Sequence, residues 1–154
     1  AHGFVVVGLF FVAEIISRRF STGKIDEMGG IRIQSPKFTS MFMILVVASV
    51  ALPGTFNFVG EFTVLYSLFQ TNIWFAILGG TTIILGAYYM LKMFQHVMLG
   101  ETNTKVFADI TFSEGLTLVI IIAVLFFFGM YPKPINDLIT PSLETILKTI
   151  NKYN

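Results

Sequence analysis

Three long apolar stretches constrain this chain more than any other feature of its sequence. They cover residues 39–70, 73–99 and 113–131, the last most apolar from residue 116 onward. A helix needs roughly 20 residues to cross a hydrocarbon core of about 30 Å. Hydrophobic residues make up 55% of the chain and charged residues only 12%, whereas soluble domains carry about 25% charged residues. The sequence therefore predicts an all-α, polytopic membrane helix bundle.

Composition and motif content exclude several classes of function. A net charge of +1 and the lack of a basic stripe argue against nucleic acid as a partner. The chain has no cysteine, and its two histidines, His2 and His96, do not supply a clustered set of metal ligands. It also lacks a phosphate-binding loop, a zinc-protease motif and a dinucleotide fingerprint. We therefore expect no metal or cofactor to be bound by this chain itself.

The first apolar stretch, residues 1–16, is interpreted as the end of a truncated helix. It is shorter than a full span and is apolar except for Glu14. The chain opens without methionine or a basic leader, which indicates a piece of a longer protein without a signal peptide. Because Glu14 lies close to Arg18 and Arg19, we interpret it as an interfacial acid at a helix end.

The loop predicted over residues 17–38 differs in charge from the next connection. It carries Arg18, Arg19, Lys24, Arg32 and Lys37, whereas residues 70–72 carry no charge. The positive-inside rule places this loop on the cytoplasmic side, or on the matrix side in a mitochondrion. The loop after the span 73–99 then returns to that side, and the C-terminal tail faces the other.

The stretch 39–70 is too long for one upright span, because as a straight helix it would extend about 48 Å. Pro53 removes a backbone donor and clashes with the preceding turn, while Gly54 and Gly60 tolerate conformations that other residues resist. We predict a broken transmembrane helix with halves near residues 40–52 and 58–69. Irregular backbone at membrane depth requires surrounding protein or a water-filled cavity to satisfy its polar groups.

Glu61 is the only acidic or basic side chain in the stretch 39–70. A charge in lipid is costly, so an intramembrane acid indicates ion or proton handling. Burial can bring the pKa of a carboxyl group close to neutrality, where it can exchange protons. The alternative is a structural carboxylate that is hydrogen-bonded to a neighbouring helix.

Lys92 and His96 are spaced to share one helix face near the end of the span 73–99, with Tyr88 one turn further in. One hypothesis is a proton exit toward the cytoplasm or matrix, because histidine titrates near pH 6.5 and a desolvated lysine can lose its proton. The alternative is interfacial anchoring, in which Lys92 extends its amine to the membrane surface.

The tail, residues 134–153, follows the stop sequence Pro132-Lys133-Pro134. Apolar residues recur at helical spacing from Ile135 to Ile150, including Leu147, and predict a short amphipathic helix interrupted at Pro141. We interpret it as an interfacial or partner-packing helix without chemistry of its own.

Short blocks spread along nearly the whole chain form a recognisable pattern. They are Ala1-His2-Gly3, Gly8-Leu9-Phe10, Met28-Gly29-Gly30, Leu52-Pro53-Gly54-Thr55, Asn57-Phe58-Val59-Gly60-Glu61-Phe62, Tyr89-Met90-Leu91, Gly100 and Phe128-Gly129-Met130-Tyr131-Pro132-Lys133-Pro134. In these blocks the chain resembles the M-type antiporter-like subunit of respiratory complex I, which is subunit 4 in mitochondria. The resemblance aligns the chain with the C-terminal part of that subunit, transmembrane helices 11 to 14.

The resemblance implies proton translocation driven by NADH oxidation and quinone reduction elsewhere in the complex, where NADH, FMN, iron–sulfur clusters and quinone bind. Glu61 maps onto the proton-exchanging acid of the broken helix, and His2 maps onto a histidine of the same hydrated path. The implied partners are the L- and N-type antiporter-like subunits, the lipid bilayer and protons. The implied location is the bacterial plasma membrane or, alternatively, the mitochondrial inner membrane.

Two other interpretations remain open. Related L- and N-type subunits and Mrp antiporters commonly have lysine where this chain has Glu61, so glutamate favours the M type over an Mrp-like or hydrogenase-linked cation/proton antiporter. In a passive helical scaffold, Glu61 would act only as a hydrogen-bond acceptor. Lys92 and His96 match no motif of the family, so the resemblance assigns them no role.

Overall fold

The computed structural model describes residues 1–101 and 106–153, and every regular element within these ranges is helical. In chain order they are α1 (His2–Phe20), a 3-10 turn (Ile25–Glu27), α2 (Ile31–Gln34), α3 (Pro36–Ser49), α4 (Phe56–Thr71), α5 (Ile73–Phe94), a π-helical turn (Gln95–Leu99), α6 (Phe112–Met130) and α7 (Lys133–Tyr153). This architecture confirms the predicted helix bundle.

Within the described residues, two helices are long and apolar enough to cross a membrane. One is α5 with its π-helical turn, Ile73–Leu99, with a mean hydropathy of 1.5, and the other is α6, with a mean hydropathy of 2.2. Their bounds agree with the predicted spans 73–99 and 113–131. None of the most apolar part of α5 is buried within the bundle, so this helix is suited to contact lipid or further helices.

The core lies where α1, α3 and α6 pack together. Leu45 on α3 and Leu118 and Leu125 on α6 are fully buried there. Gly8 on α1 allows the three helices to approach, because a Cβ atom at this position would lie 3.0 Å from Leu45 Cδ2 and 3.3 Å from Ile121 Cγ2. Small residues that permit close approach are typical of helix crossings in membranes.

Helix α1 is longer than the predicted segment 1–16, because it continues through Phe20. The predicted loop 17–38 therefore begins too early, and it also contains the 3-10 turn and α2. The extension is stabilised by tertiary contacts. Phe20 is buried with its ring centroid 5.4 Å from that of Phe107, and Arg19 Nη1 donates to the carbonyl oxygen of Ala108 at 2.7 Å.

The two loops predicted to share one side of the membrane lie at the same end of the bundle. Ser35 Oγ donates to the carbonyl oxygen of Phe107 at 3.2 Å, and the Phe38 amide donates to Asp109 Oδ1 at 3.2 Å. Gly29 lies directly against the backbone of Glu101, leaving no room for a Cβ atom. That this end faces the cytoplasm or matrix stays a prediction.

The predicted break separates α3 from α4 at residues 50–55. Pro53 and Gly54 lie inside it, and Gly54 has a φ angle of 94°, which favours glycine. Ala51 is also left-handed, with a φ angle of 56°. The prediction was wrong for Gly60, which lies inside α4 one turn after its start. Gly60 therefore does not form part of the break.

Helix α6 supports the break from the side. Gly129 lies so close to the backbone of Gly54, Thr55 and Phe56 that an added Cβ atom would collide with all three. The hydroxyl of Thr55, which is fully buried, donates to the carbonyl oxygen of Leu52 at 2.7 Å. Packed protein thus covers the irregular backbone at Gly54 and Thr55, whereas Leu52 and Pro53 are exposed within the described part of the chain.

Helix α7 runs continuously through Pro141, so the predicted interruption there was wrong. Proline removes the amide that would bond to the Asp137 carbonyl, but this helix is exposed, and the freed carbonyl can bond to solvent. The apolar residues of α7 are concentrated on one face, so the amphipathic character predicted for residues 134–153 is retained. Leu138 and Leu143 are 75% and 53% exposed. The side chains of Leu147 and Ile150 lie outside the described residues.

Candidate proton-exchange site

Glu61 lies on the second turn of α4 and lines a cavity of about 620 Å³. The walls of this cavity come from α1, the end of α3, α4 and α5, which places it just beyond the helix break. Glu61 is half-buried. The cavity is large enough for many waters, since each occupies about 30 Å³ in the liquid.

The polar side chains of the cavity come from four different helices. They are His2 on α1, Ser49 on α3, Asn57 and Glu61 on α4, and Thr82 and Tyr89 on α5. His2 is close enough to Glu61 for its imidazole to interact electrostatically with the carboxylate. The structure thus brings together the two residues for which the sequence predicted proton transfer.

Glycines shape the wall between α4 and α5. A Cβ atom at Gly79 would lie 3.2 Å from the terminal methyl carbons of Leu65 and Leu68 on α4, so this glycine lets the two helices pack closely. Gly60 and Gly86 line the cavity without packing so tightly, and an added Cβ atom at Gly60 would meet no atom within 4 Å. Gly60, predicted as part of the break, instead leaves space beside Glu61.

Two of the hydroxyl groups that line the cavity, those of Ser49 and Thr82, donate to nearby backbone carbonyls. Ser49 Oγ donates to the carbonyl oxygen of Val46 at 2.6 Å, and Thr82 Oγ1 donates to that of Gly79 at 2.7 Å. Each oxygen keeps its lone pairs for an incoming donor. These hydroxyls can therefore accept hydrogen bonds from water in the cavity.

Lys92 and His96 lie apart from this cavity. Lys92 Nζ is 3.3 Å from the Tyr88 hydroxyl and 5.6 Å from the centre of its ring, and both side chains are exposed. His96 lies in the π-helical turn. The wider backbone of this turn changes the direction of the His96 side chain from the one it would have in a regular α-helix. Its Nε2 is 4.0 Å from Asp26 Oδ1 in the first loop.

Sequence reasoning missed an ionic cluster at the loop end of the bundle. Arg18 Nη2 and Arg19 Nη2 each lie 2.6 Å from one oxygen of Glu114. Glu114 also accepts from the Thr111 amide at 2.8 Å within a capping box that begins α6. The predicted proximity of Glu14 to this basic pair is confirmed, with Glu14 Oε1 3.6 Å from Arg18 Nε. Only the Thr-x-x-Glu spacing of the capping box could have indicated Glu114 from sequence.

The similarity of this chain to known proteins identifies its family. A family model described as NADH:quinone oxidoreductase/Mrp antiporter, transmembrane, matches residues 1–86, more than half of the chain. The chain belongs to this family. The matched residues include α1, both sides of the break and Glu61, so they contain most of the cavity wall. As a member of this transmembrane family, the chain is a membrane protein.

Curated relatives in the family are named NADH-quinone oxidoreductase subunit M. The chain is 36% identical to the protein of Rickettsia typhi over 150 residues and 34% identical to that of Rhodobacter capsulatus over 151 residues, with 96% of the chain aligned in both cases. It is 33% identical to that of Mycobacterium tuberculosis, strain H37Rv, over 99% of the chain. These matches confirm the resemblance to the M-type subunit. The chain spans about 30% of the length of these relatives.

A solved structure shows the same helix arrangement. Respiratory complex I from Thermus thermophilus with bound NADH contains a chain that matches with a TM-score of 0.76 and 30% sequence identity. The match covers 81% of this chain and 27% of that one. The helix packing over most of the chain therefore agrees with that of a chain in an experimentally determined respiratory complex I.

Proposed function

We propose that this chain forms part of the proton-translocating subunit M of an NADH-quinone oxidoreductase, with Glu61 as a proton-exchange site. One observation carries the proposal: the only acid of the broken helix faces a cavity that it shares with His2 and four other polar side chains. A carboxylate that served only as a packing acceptor would bond to a neighbouring helix. No such bond to Glu61 is present within residues 1–101 and 106–153.

Proton exchange at this site needs only the groups that line the cavity. The Glu61 carboxylate accepts a proton from a protonated water of the cavity or from the His2 imidazolium and becomes a neutral carboxylic acid. The donor is left as a neutral water or a neutral imidazole. Passing that proton to another acceptor regenerates the carboxylate. Moving one charge through the membrane potential involves about 2.3 kcal/mol per 100 mV, so the exchange must be gated to prevent a leak.

The wider setting follows from the names of the relatives. We propose that the chain works in the membrane with other complex I subunits, including the L- and N-type antiporter-like subunits, in a bacterial plasma membrane. The enzyme class is then a proton-translocating NADH:quinone reductase. NADH, FMN, iron–sulfur clusters and quinone belong to other parts of the complex, and this chain contributes proton transfer.

The test is Glu61→Gln in the full-length subunit within the assembled complex. We expect a large loss of proton pumping in sealed vesicles, because glutamine is similar in size but cannot exchange protons. Glu14→Gln is the matched control, since Glu14 is 54% exposed and pairs with Arg18 outside the cavity. Glu61→Asp should retain part of the pumping. Wild-type NADH oxidation and pumping in Glu61→Gln would overturn the proposal and favour a passive scaffold.

An Mrp-like antiporter is the second candidate, because the matching family model includes this group. Sodium-dependent proton transport by an assembly without NADH activity would favour it. Lys92 and His96 stay a predicted proton exit. Their exposure and the contact of Lys92 with Tyr88 support interfacial anchoring instead.

A further inference from the structure

Asn57 is the one buried polar residue in the wall of the Glu61 cavity. It is only 5% exposed, yet within the described part of the chain its side chain forms no hydrogen bond with protein. Fully enclosed side-chain nitrogen and oxygen atoms in the described residues all have partners. The amide of Asn57 must therefore reach the cavity, which it lines.

An unpaired amide inside a membrane protein is energetically costly, so a partner in the cavity is required. The position of Asn57 indicates what that partner does. Asn57 and Glu61 are four residues apart on α4, so they share one face with Cβ atoms about 6 Å apart. That gap suits one water that bonds to both side chains, since each hydrogen bond spans about 2.8 Å.

We propose that Asn57 is a positioning residue that holds a water against the Glu61 carboxyl group and so sets the rate of its proton exchange. This inference rests on the proposed function of Glu61. The bound water passes a proton to the carboxylate as it receives another from a protonated water of the cavity, so it stays neutral, whereas Asn57 neither gains nor loses a proton. Its amide can donate to the water oxygen and accept from a water hydrogen at the same time, which fixes the orientation of the water.

Nearby groups are less suited to this task. The Ser49 and Thr82 hydroxyls already donate to backbone carbonyls of their own helices, so they offer only acceptors. Thr55, at the start of α4, likewise donates to Leu52 and leaves the helix without a side-chain cap. His2 and Tyr89 also line the cavity, but both are exposed. Among the described residues, Asn57 is thus the buried side chain of the cavity wall that keeps a free donor and a free acceptor.

The test compares Asn57→Leu with Asn57→Gln in the full-length subunit within the assembled complex. Leucine is similar in shape but removes the amide, and glutamine retains it. We expect Asn57→Leu to slow proton pumping in sealed vesicles by roughly tenfold, the rate equivalent of one hydrogen bond. Its pumping should also show a larger solvent deuterium isotope effect, because proton transfer becomes rate-limiting. Asn57→Gln should stay within about twofold of the wild type.

Thr63→Val is the matched control on α4, because the Thr63 hydroxyl bonds to the Val59 carbonyl and does not line the cavity. Wild-type pumping and isotope effect in Asn57→Leu would overturn the inference. If Glu61→Gln still lacks pumping in that case, the proposed function stands. If Asn57→Leu does not assemble, Asn57→Ala replaces it with the same expectations. Failure of both to assemble, with normal assembly of Asn57→Gln, would assign the amide to structure and overturn the inference.

Discussion

Replacing Glu114 by alanine is expected to destabilise the loop end of the bundle more than any other single loss of charge there. Glu114 joins α1 to α6, and its side chain is only 10% exposed. Its two oxygens bind Arg18 and Arg19, each at 2.6 Å, and the Thr111 amide at 2.8 Å. Alanine removes all three interactions at once.

The three interactions contribute unequally. The Arg19 pair is the strongest, because its side chain is 14% exposed and a charge-assisted bond of this kind contributes about 1.5–3 kcal/mol. Arg18 is 59% exposed, so its pair contributes about 0–1 kcal/mol. The capping box contributes about 1 kcal/mol. Arg19 keeps the Ala108 carbonyl and the Phe107 ring as partners, which limits the total loss to about 3 kcal/mol.

The assay is the free energy of unfolding of the full-length subunit in mixed detergent micelles. Glu14→Ala is the control, with an expected loss below about 1 kcal/mol, because Glu14 is 54% exposed and lies 3.6 Å from Arg18. A double-mutant cycle should give a coupling above about 1 kcal/mol between Arg19 and Glu114. The reasoning is refuted if Glu114→Ala stays within about 0.5 kcal/mol of the wild type, or if Arg18→Ala costs more than Arg19→Ala.

Three further predictions use the same measurement. Gly129→Ala should lower the free energy of unfolding by about 1–3 kcal/mol, because its methyl group collides with the backbone of the break. Gly80→Ala is the control and should leave the free energy of unfolding unchanged, because open space surrounds Gly80. Equal effects of the two substitutions would contradict the close approach at Gly129. Gly54→Ala should cost about 1–2 kcal/mol through its φ angle of 94° alone, and an unchanged stability would show that this angle is not retained. Leu45→Ala should lower the free energy of unfolding by about 2–5 kcal/mol, because it leaves a cavity in the core. Leu78 is 63% exposed, so Leu78→Ala should have a far smaller effect. A similar loss at both positions would refute the assigned core.

The helical spans and the break could be predicted because they depend on local properties of the chain. The length of the apolar stretch 39–70, together with Pro53 and Gly54, is incompatible with one straight helix whatever surrounds it. Glu61 could be identified for a similar reason, since a charge within an apolar stretch is costly in any fold. Neither property depends on which helices are neighbours.

The same local reasoning failed where distant residues decide the outcome. Arg18 and Arg19 look like loop residues, but α1 continues through them because Glu114, about 95 positions away, binds both. Gly60 looks like a helix breaker beside Pro53, but it lies within α4 and gives space to the cavity. Helix propensities cannot anticipate either result, because tertiary contacts outweigh them.

The sequence alone is enough to establish a membrane helix bundle with a broken helix that contains one acid. Hydrophobic length and backbone chemistry are properties of a segment, so the segment alone reveals them. Tertiary packing is needed to bring His2, Asn57 and Glu61 into one cavity, to place Gly129 against the break and to join α6 to α1 through Glu114. These relations depend on distances between separate helices, and packing sets those distances.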